Sequence, residues 1–177
     1  MKRESQNKTQ LFLKVYETKK TDVYNYALRM LHDKDTAADI TQSVFEKLLL
    51  NFENLRDKKK INAWLFVTAR NEIYGVFRRT RNIESDVPEE DLAEDSGIVK
   101  NIELDEFKKI LFDELEKLPL LNKEIYLMKE YGKLSYKEIA DVTGEDMNNV
   151  KARLFRTRKK LIEKISKIFF EEPKWKK

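Results

Sequence analysis

The chain has 177 residues, room for one or two domains, with 38% charged residues, four glycines, three prolines and no cysteine. Without cysteine there is no disulfide framework, thiolate metal site or cysteine nucleophile, and one histidine, His32, leaves no material for a histidine metal site or triad. The net charge of +4 is unevenly spread: residues 1–80 carry 16 Lys/Arg against 10 Asp/Glu, residues 81–106 carry 2 against 10, and residues 107–177 carry 18 against 12. Two basic blocks joined by an acidic strap point to two nucleic-acid-facing domains and a connector. No apolar run reaches membrane-span length and residues 1–10 lack the apolar core of a signal peptide, so a cytoplasmic protein without membrane insertion is expected.

Taken in order, residues 9–19 place Leu11, Phe12, Val15 and Tyr16 at helical spacing, and Thr21 is the expected cap of a second helix carrying Val23, Tyr26, Ala27, Met30 and Leu31. Asp35 is the expected cap of a third helix, residues 36–51. Its inward stripe is Ile40, Val44 and Leu48, and Asp39, Gln42, Ser43 and Glu46 form a compact polar surface. That surface reads as a solvated face or as a docking surface for a protein partner.

Residues 52–61 read as a loop with three successive lysines, Lys58, Lys59 and Lys60. Asn62 is the expected cap of a long helix that interleaves Trp64, Phe66, Tyr74 and Phe77 with Arg70, Arg78 and Arg79. Most of those aromatics are core by spacing. A basic helix that also exposes an aromatic or an asparagine can grip unpaired bases, because stacking works on any base face. Gly75 in mid-helix costs roughly 1 kcal/mol relative to Ala, with no local reason visible.

Residues 82–104, with Pro88, Gly97 and an Asp/Glu-rich run, read as a flexible connector. Helical periodicity resumes through Phe107, Ile110, Leu111, Leu115 and Leu118. Pro119 interrupts it, and Asn122 is the expected start of a helix over residues 123–131.

Residues 135–160 are the most informative stretch. Ser135 and Glu138 have the spacing of a capping box, Gly144 supplies the positive-φ residue that ends a short helix, and Asp146 is placed to cap the next. At about 100° per residue, Val150, Leu154 and Leu161 share one side of that second helix, and Asn148, Lys151, Ala152, Phe155, Arg156 and Lys159 fall opposite. Amides, cations and an exposed aromatic are the side chains that read base edges and neutralise phosphates. The architecture expected is all-α: two small helical domains, residues 1–81 and 105–172, joined by the acidic connector, the second with a helix-turn-helix. The apolar tail through Phe169, Phe170 and Trp175 is expected to cover the small core. No nucleophile, metal cluster or phosphate loop is present, so no catalysis, cofactor or metal is expected. A helix-turn-helix regulator with an unrelated helical sensor domain, and a protein-binding adaptor, stay open on these features.

Four stretches in order resemble the extracytoplasmic-function (ECF) sigma factors of bacterial RNA polymerase, across about residues 8–165. Ala38-Asp39-Ile40-Thr41-Gln42-Ser43-Val44-Phe45 resembles the core-binding helix of that family. Trp64-Leu65-Phe66, with Ala69-Arg70-Asn71 and Arg78-Arg79, resembles its promoter-melting and −10-reading helix. Leu118-Pro119 and Leu134-Ser135-Tyr136-Lys137-Glu138-Ile139-Ala140 resemble its second domain, and residues 150–158 resemble its −35-reading helix.

The resemblance implies a subunit that binds core RNA polymerase and directs promoter-specific initiation. Asp39, Gln42, Phe45 and Glu46 would dock on the clamp helices of the β′ subunit, and the second domain on the β flap. Lys58, Lys59, Lys60 and Ile61, with Trp64, Arg70, Asn71, Arg78 and Arg79, would hold the −10 strand, a base flipped from it entering the loop at residues 55–61. Asn148, Asn149, Lys151, Ala152, Phe155, Arg156 and Lys159 would meet the −35 element, with Arg153 and Arg158 nearer phosphates. An anti-sigma protein would be a further partner. Gly75, the run Met147-Asn148-Asn149, Ala152 and the lysine triplet depart from the common family pattern, which bears on promoter preference more than on role.

Overall fold

The computed structural model describes residues 2–52, 55, 60–83 and 102–170, with side chains described within residues 9–81 and 107–167. These form seven helices: α1 Lys2–Leu31, α2 Lys34–Asn51, α3 Ile61–Ile83, α4 Ile102–Glu116, α5 Leu120–Glu130, α6 Tyr136–Thr143 and α7 Met147–Phe170. Among the described residues no helix is long and apolar enough to cross a membrane.

The two helices expected on either side of Thr21 are one. Nothing between residues 9 and 31 is a Gly or Pro, Lys19 pairs with Asp22 at 3.7 Å across the expected break, and Thr18 turns its hydroxyl onto the Lys14 carbonyl instead of capping anything. α1 ends where His32 takes a left-handed φ of 59°. Asp33, not Asp35, then caps α2, its carboxylate accepting from the amides of Asp35 and Thr36 at 3.2 and 3.1 Å. The Thr36 hydroxyl, which also donates to it, and those amide bonds hold the Asp33 carboxyl below its ordinary range.

α3 begins at Ile61, so Asn62 sits in its first turn rather than capping it. α5 begins directly after Pro119, whose fixed φ suits the position, and Asn122 instead accepts a bond from Arg153. α3 runs to Ile83 and α4 starts at Ile102, inside the bounds expected for the connector. Residues 84–101 lie outside the described residues. Phe169 and Phe170 belong to α7, but their side chains, and Trp175, also lie outside them.

Helices α1, α2 and α3 pack on one another, α4, α5 and α6 pack on α7, and α5 also touches α1. The first group closes over Tyr26, Val44, Leu48, Leu65, Phe66 and Ile73, with the rings of Tyr26 and Phe66 5.3 Å apart. The second closes over Leu115, Ile125, Met128, Ile139, Val150 and Leu154. Gly132, after α5, brings the two groups close: a β-carbon there would lie 2.5 Å from the Met128 carbonyl oxygen and 3.2 Å from the Phe66 ring.

Candidate nucleic-acid interface

The helix-turn-helix forms as its local chemistry dictates. Ser135 Oγ accepts from the Glu138 amide at 3.2 Å, and the Glu138 carboxylate accepts from the Ser135 amide at 2.8 Å. Gly144 ends α6 at φ 74°. Asp146 accepts from the amides of Asn148 and Asn149 at 2.7 and 3.1 Å, which starts α7. Val150, Leu154 and Leu161 are buried, each contributing about 1.5–3 kcal/mol, and they seat α7 on its neighbours.

That seating leaves a continuous outer face of Asn148, Asn149, Lys151, Ala152, Phe155, Arg156 and Lys159, all exposed, with Phe155 at 69%. Arg156 has no ion pair among the described residues. Lys151 lies 5.9 Å over the Tyr136 ring, and Lys159 is 3.9 Å from Glu163, too exposed to hold it firmly. Arg153 and Arg158 are engaged within the fold. Arg153 donates to Asn122 at 2.9 Å and Glu145 at 3.4 Å, and Arg158 donates to Glu130 at 2.9 Å, so both brace α7 against α5 and the turn.

α1 and α2 border an open groove of about 720 Å³. Phe12, Tyr16, Tyr24 and Phe45 form its aromatic lining, with Tyr16 and Phe45 edge to face at 4.9 Å, and the exposed Leu13 and Leu49 also line it. Gln42 and Glu46 line it as well, beside Lys20, Thr21 and Thr41, and are bonded to each other at 2.8 Å. Phe45 is buried in the core as well as lining the groove, whereas Asp39 is exposed on α2 but outside the groove lining.

The third surface lies along α3. Asn71, Arg78 and Arg79 are exposed, and Trp64 is half-buried. Ile61 is packed into the core, because it opens the buried stripe it shares with Leu65, Ala69 and Ile73. Lys60 is exposed; Lys58 and Lys59 lie outside the described residues. Arg70 is half-buried. Its Nε donates to Glu124 of α5 at 2.8 Å, and its guanidinium lies 4.5 Å from the centre of the Tyr74 ring.

Glu124 is fully buried and also accepts from the hydroxyls of Tyr74 at 3.1 Å and Tyr26 at 3.4 Å. Burial, reinforced by the Glu124 charge, pushes the Tyr26 phenol well above its usual pKa. Burial works against the Arg70 cation, but the Glu124 carboxylate more than offsets it and the pKa is raised. Sequence reasoning missed Glu124. The signal was there: at 100° per residue it falls on the apolar stripe of Leu121, Ile125 and Met128, where a carboxylate needs partners.

Two family models match the chain. Residues 15–83 match Sigma-70 region 2 and residues 108–161 match Sigma-70, region 4. The RNA polymerase sigma factor SigV of Bacillus subtilis is 30% identical over 141 residues, covering 79% of this chain and 82% of that protein. The chain belongs to the ECF sigma factors.

Other relatives include the sigma factor YlaC of Bacillus subtilis, 28% identical across 85% of this chain and 90% of its own length. The ECF sigma-E factor of Escherichia coli is 27% identical across 72% of each. In fold, the chain is similar to one in the solved complex of the sigma factor RpoE with the anti-sigma factor NepR from Bartonella quintana. The TM-score is 0.70 at 24% identity, over 88% of this chain and 96% of that one. As a sigma factor the protein directs transcription, with core RNA polymerase and promoter DNA as its partners.

Proposed function

We propose that this sigma factor uses three of its faces in turn: the α1–α2 groove for core polymerase, α3 for the −10 strand and α7 for the −35 major groove. The observation that carries the reading is the outer face of α7. A capped, glycine-turned helix seated by Val150, Leu154 and Leu161 presents Arg156, Phe155 and two asparagines together, all of them exposed. Arg156 suits a guanine edge, the asparagines suit adenine, and the Phe155 ring suits a thymine methyl. Arg153 and Arg158 keep that helix in position, since their guanidiniums are already bonded within the fold.

Gln42 and Glu46, beside an aromatic-lined groove and with Asp39 nearby on the same helix, form the face that docks on the β′ clamp helices. The second domain engages the β flap. On α3, the exposed Asn71, Arg78 and Arg79 track the −10 strand, with Trp64 beside the entry of a flipped base. Unstacking that base costs a few kcal/mol, which polymerase docking and phosphate contacts must offset. The two domains are residues 1–81 and 105–172, the protein works in the cytoplasm without catalysis of its own, and an anti-sigma protein restrains it.

In vitro transcription with core polymerase across a promoter library tests this directly. The expected result is transcripts from one promoter class, lost when Gln42 and Glu46 are both changed to Ala. Transcription that survives that double change rules out the α2 face as the polymerase dock.

A further inference from the structure

Gly75 stands in the middle of α3, and no contact among the described residues calls for it. The helix runs unbroken from Ile61 to Ile83, and Gly75 takes no positive φ that only glycine would accept. A β-carbon there would meet no backbone and no packed side chain. The nearest atoms are the guanidinium ends of Arg79 at 3.5 Å and Arg78 at 3.9 Å. Gly132 is the contrast, since a β-carbon on it would collide with the Met128 carbonyl. Glycine in a helix interior is less favourable than alanine, and at residue 75 no internal contact offsets that cost.

Gly75 lies at the centre of an outward face. At about 100° per residue, Trp64, Asn71, Gly75 and Arg78 fall within an arc of about 60°, with Arg79 at its edge. That arc is turned away from the buried stripe of Ile61, Leu65, Ala69 and Ile73. Asn71, Arg78 and Arg79 are exposed, and neither arginine has an ion pair among the described residues. Arg70 is spent elsewhere, bonded to Glu124 across the boundary between the two groups of helices. What remains is a patch of bare helix backbone with two guanidiniums over it and an amide one turn before it. Guanidinium forks suit phosphate, and a helix without a side chain lets a ligand come close.

We propose that Gly75 is a seat for the sugar–phosphate backbone of the −10 strand: one deoxyribose rests on the bare helix, and Arg78 and Arg79 hold the phosphate beside it. The seat sets the height at which the strand passes Asn71 and Trp64. The proposal rests on the assignment of α3 to the −10 strand. A contact of this kind positions the strand without reading its sequence. A methyl group at residue 75 fills the seat, lifts the strand and lengthens both arginine contacts, while making α3 a better helix.

The test compares holoenzymes assembled from core polymerase and the wild-type chain, Gly75→Ala, or the double change Arg78→Ala with Arg79→Ala. The probe is the labelled non-template −10 single strand of the promoter most active in the library transcription, titrated at several salt concentrations. Gly75→Ala is expected to raise the melting temperature of the free chain, to leave binding to core polymerase unchanged, and to weaken single-strand binding about tenfold. The loss is equal for strands substituted base by base, and the slope of log affinity against log salt becomes shallower by roughly 0.7, as for one phosphate contact on a single strand. Unchanged affinity and slope for Gly75→Ala, with the double arginine change still weakened, overturn the seat and leave α3 on the −10 strand. A loss confined to one base overturns the backbone contact, because residue 75 then borders a base edge. A Gly75→Ala chain that melts below wild type, or does not fold, shows that the glycine serves the fold and overturns the seat. No loss in either variant overturns the assignment of α3, and the seat with it.

Discussion

Helices α3 and α7 are built from similar material. Each is long, each mixes aromatics with arginines, and each seats itself by a buried stripe at helical spacing. They differ in what becomes of the cations. On α7, Arg156 has no ion pair among the described residues and stands beside an exposed Phe155. On α3, Arg70 is bonded to a fully buried carboxylate from a helix 54 residues further along the chain. A count of arginines, four on α3 and three on α7, ranks the two helices alike. Availability separates them, and it depends on which cations the fold has already neutralised.

The sharpest way to test that contrast is to remove one arginine from each helix. Arg70→Ala leaves Glu124 buried without its cation, and breaking such a pair costs about 3–5 kcal/mol while the boundary stays closed. The expected outcome is a clear drop in the melting temperature of the free chain, limited by opening of the boundary, which rehydrates Glu124. Arg156→Ala is expected to leave melting within about 0.5 kcal/mol of wild type, as for surface changes generally. Its effect lies in reading: about 1–3 kcal/mol lost at one −35 position, seen by transcription from promoters substituted base by base. Lys159→Ala instead weakens binding with little sequence bias and a shallower salt dependence. Equal stability losses for Arg70→Ala and Arg156→Ala would erase the distinction between the helices.

Two smaller effects sharpen it. Ser135→Ala removes one side of the capping box and is expected to cost about 1 kcal/mol by thermal unfolding, loosening the helix-turn-helix without touching α3. Gly75→Ala acts in the opposite direction. A β-carbon there meets only the far ends of Arg79 and Arg78, at 3.5 and 3.9 Å, so nothing in the fold demands glycine. A gain of about 0.5–1 kcal/mol is expected, with the cost falling on −10 reading if that bare backbone is where the strand approaches.

Much of the second half was legible because its signals are short-range. The Ser135–Glu138 box, the Gly144 turn, the Asp146 cap and the Val150–Leu154–Leu161 stripe each link residues within a turn or two. The errors fell where several local solutions were nearly equal. Thr21 can cap or sit within a helix, and with no Gly or Pro nearby the helix continued. Asp33 and Asp35 both suit an N-cap, and the left-handed turn at His32 chose Asp33. Asn62 and Asn122 also read as caps, yet each spends its side chain on a distant partner, the Gly132 carbonyl or Arg153.

By itself, the sequence determined an all-helical chain of two basic blocks, the helix-turn-helix with its outward basic face, and the polar face of α2. These follow from periodicity, caps and charge, which act over a few residues and do not need to know the fold. Only the tertiary structure decided that Phe45 and Ile61 are core, that Arg153 and Arg158 brace α7, and that Arg70 is held by Glu124. Those outcomes turn on pairings as far as 98 residues apart, such as Tyr26 with Glu124. The physical reason is that a buried charge is tolerated only where donors converge on it, and that convergence exists only once the helices have packed.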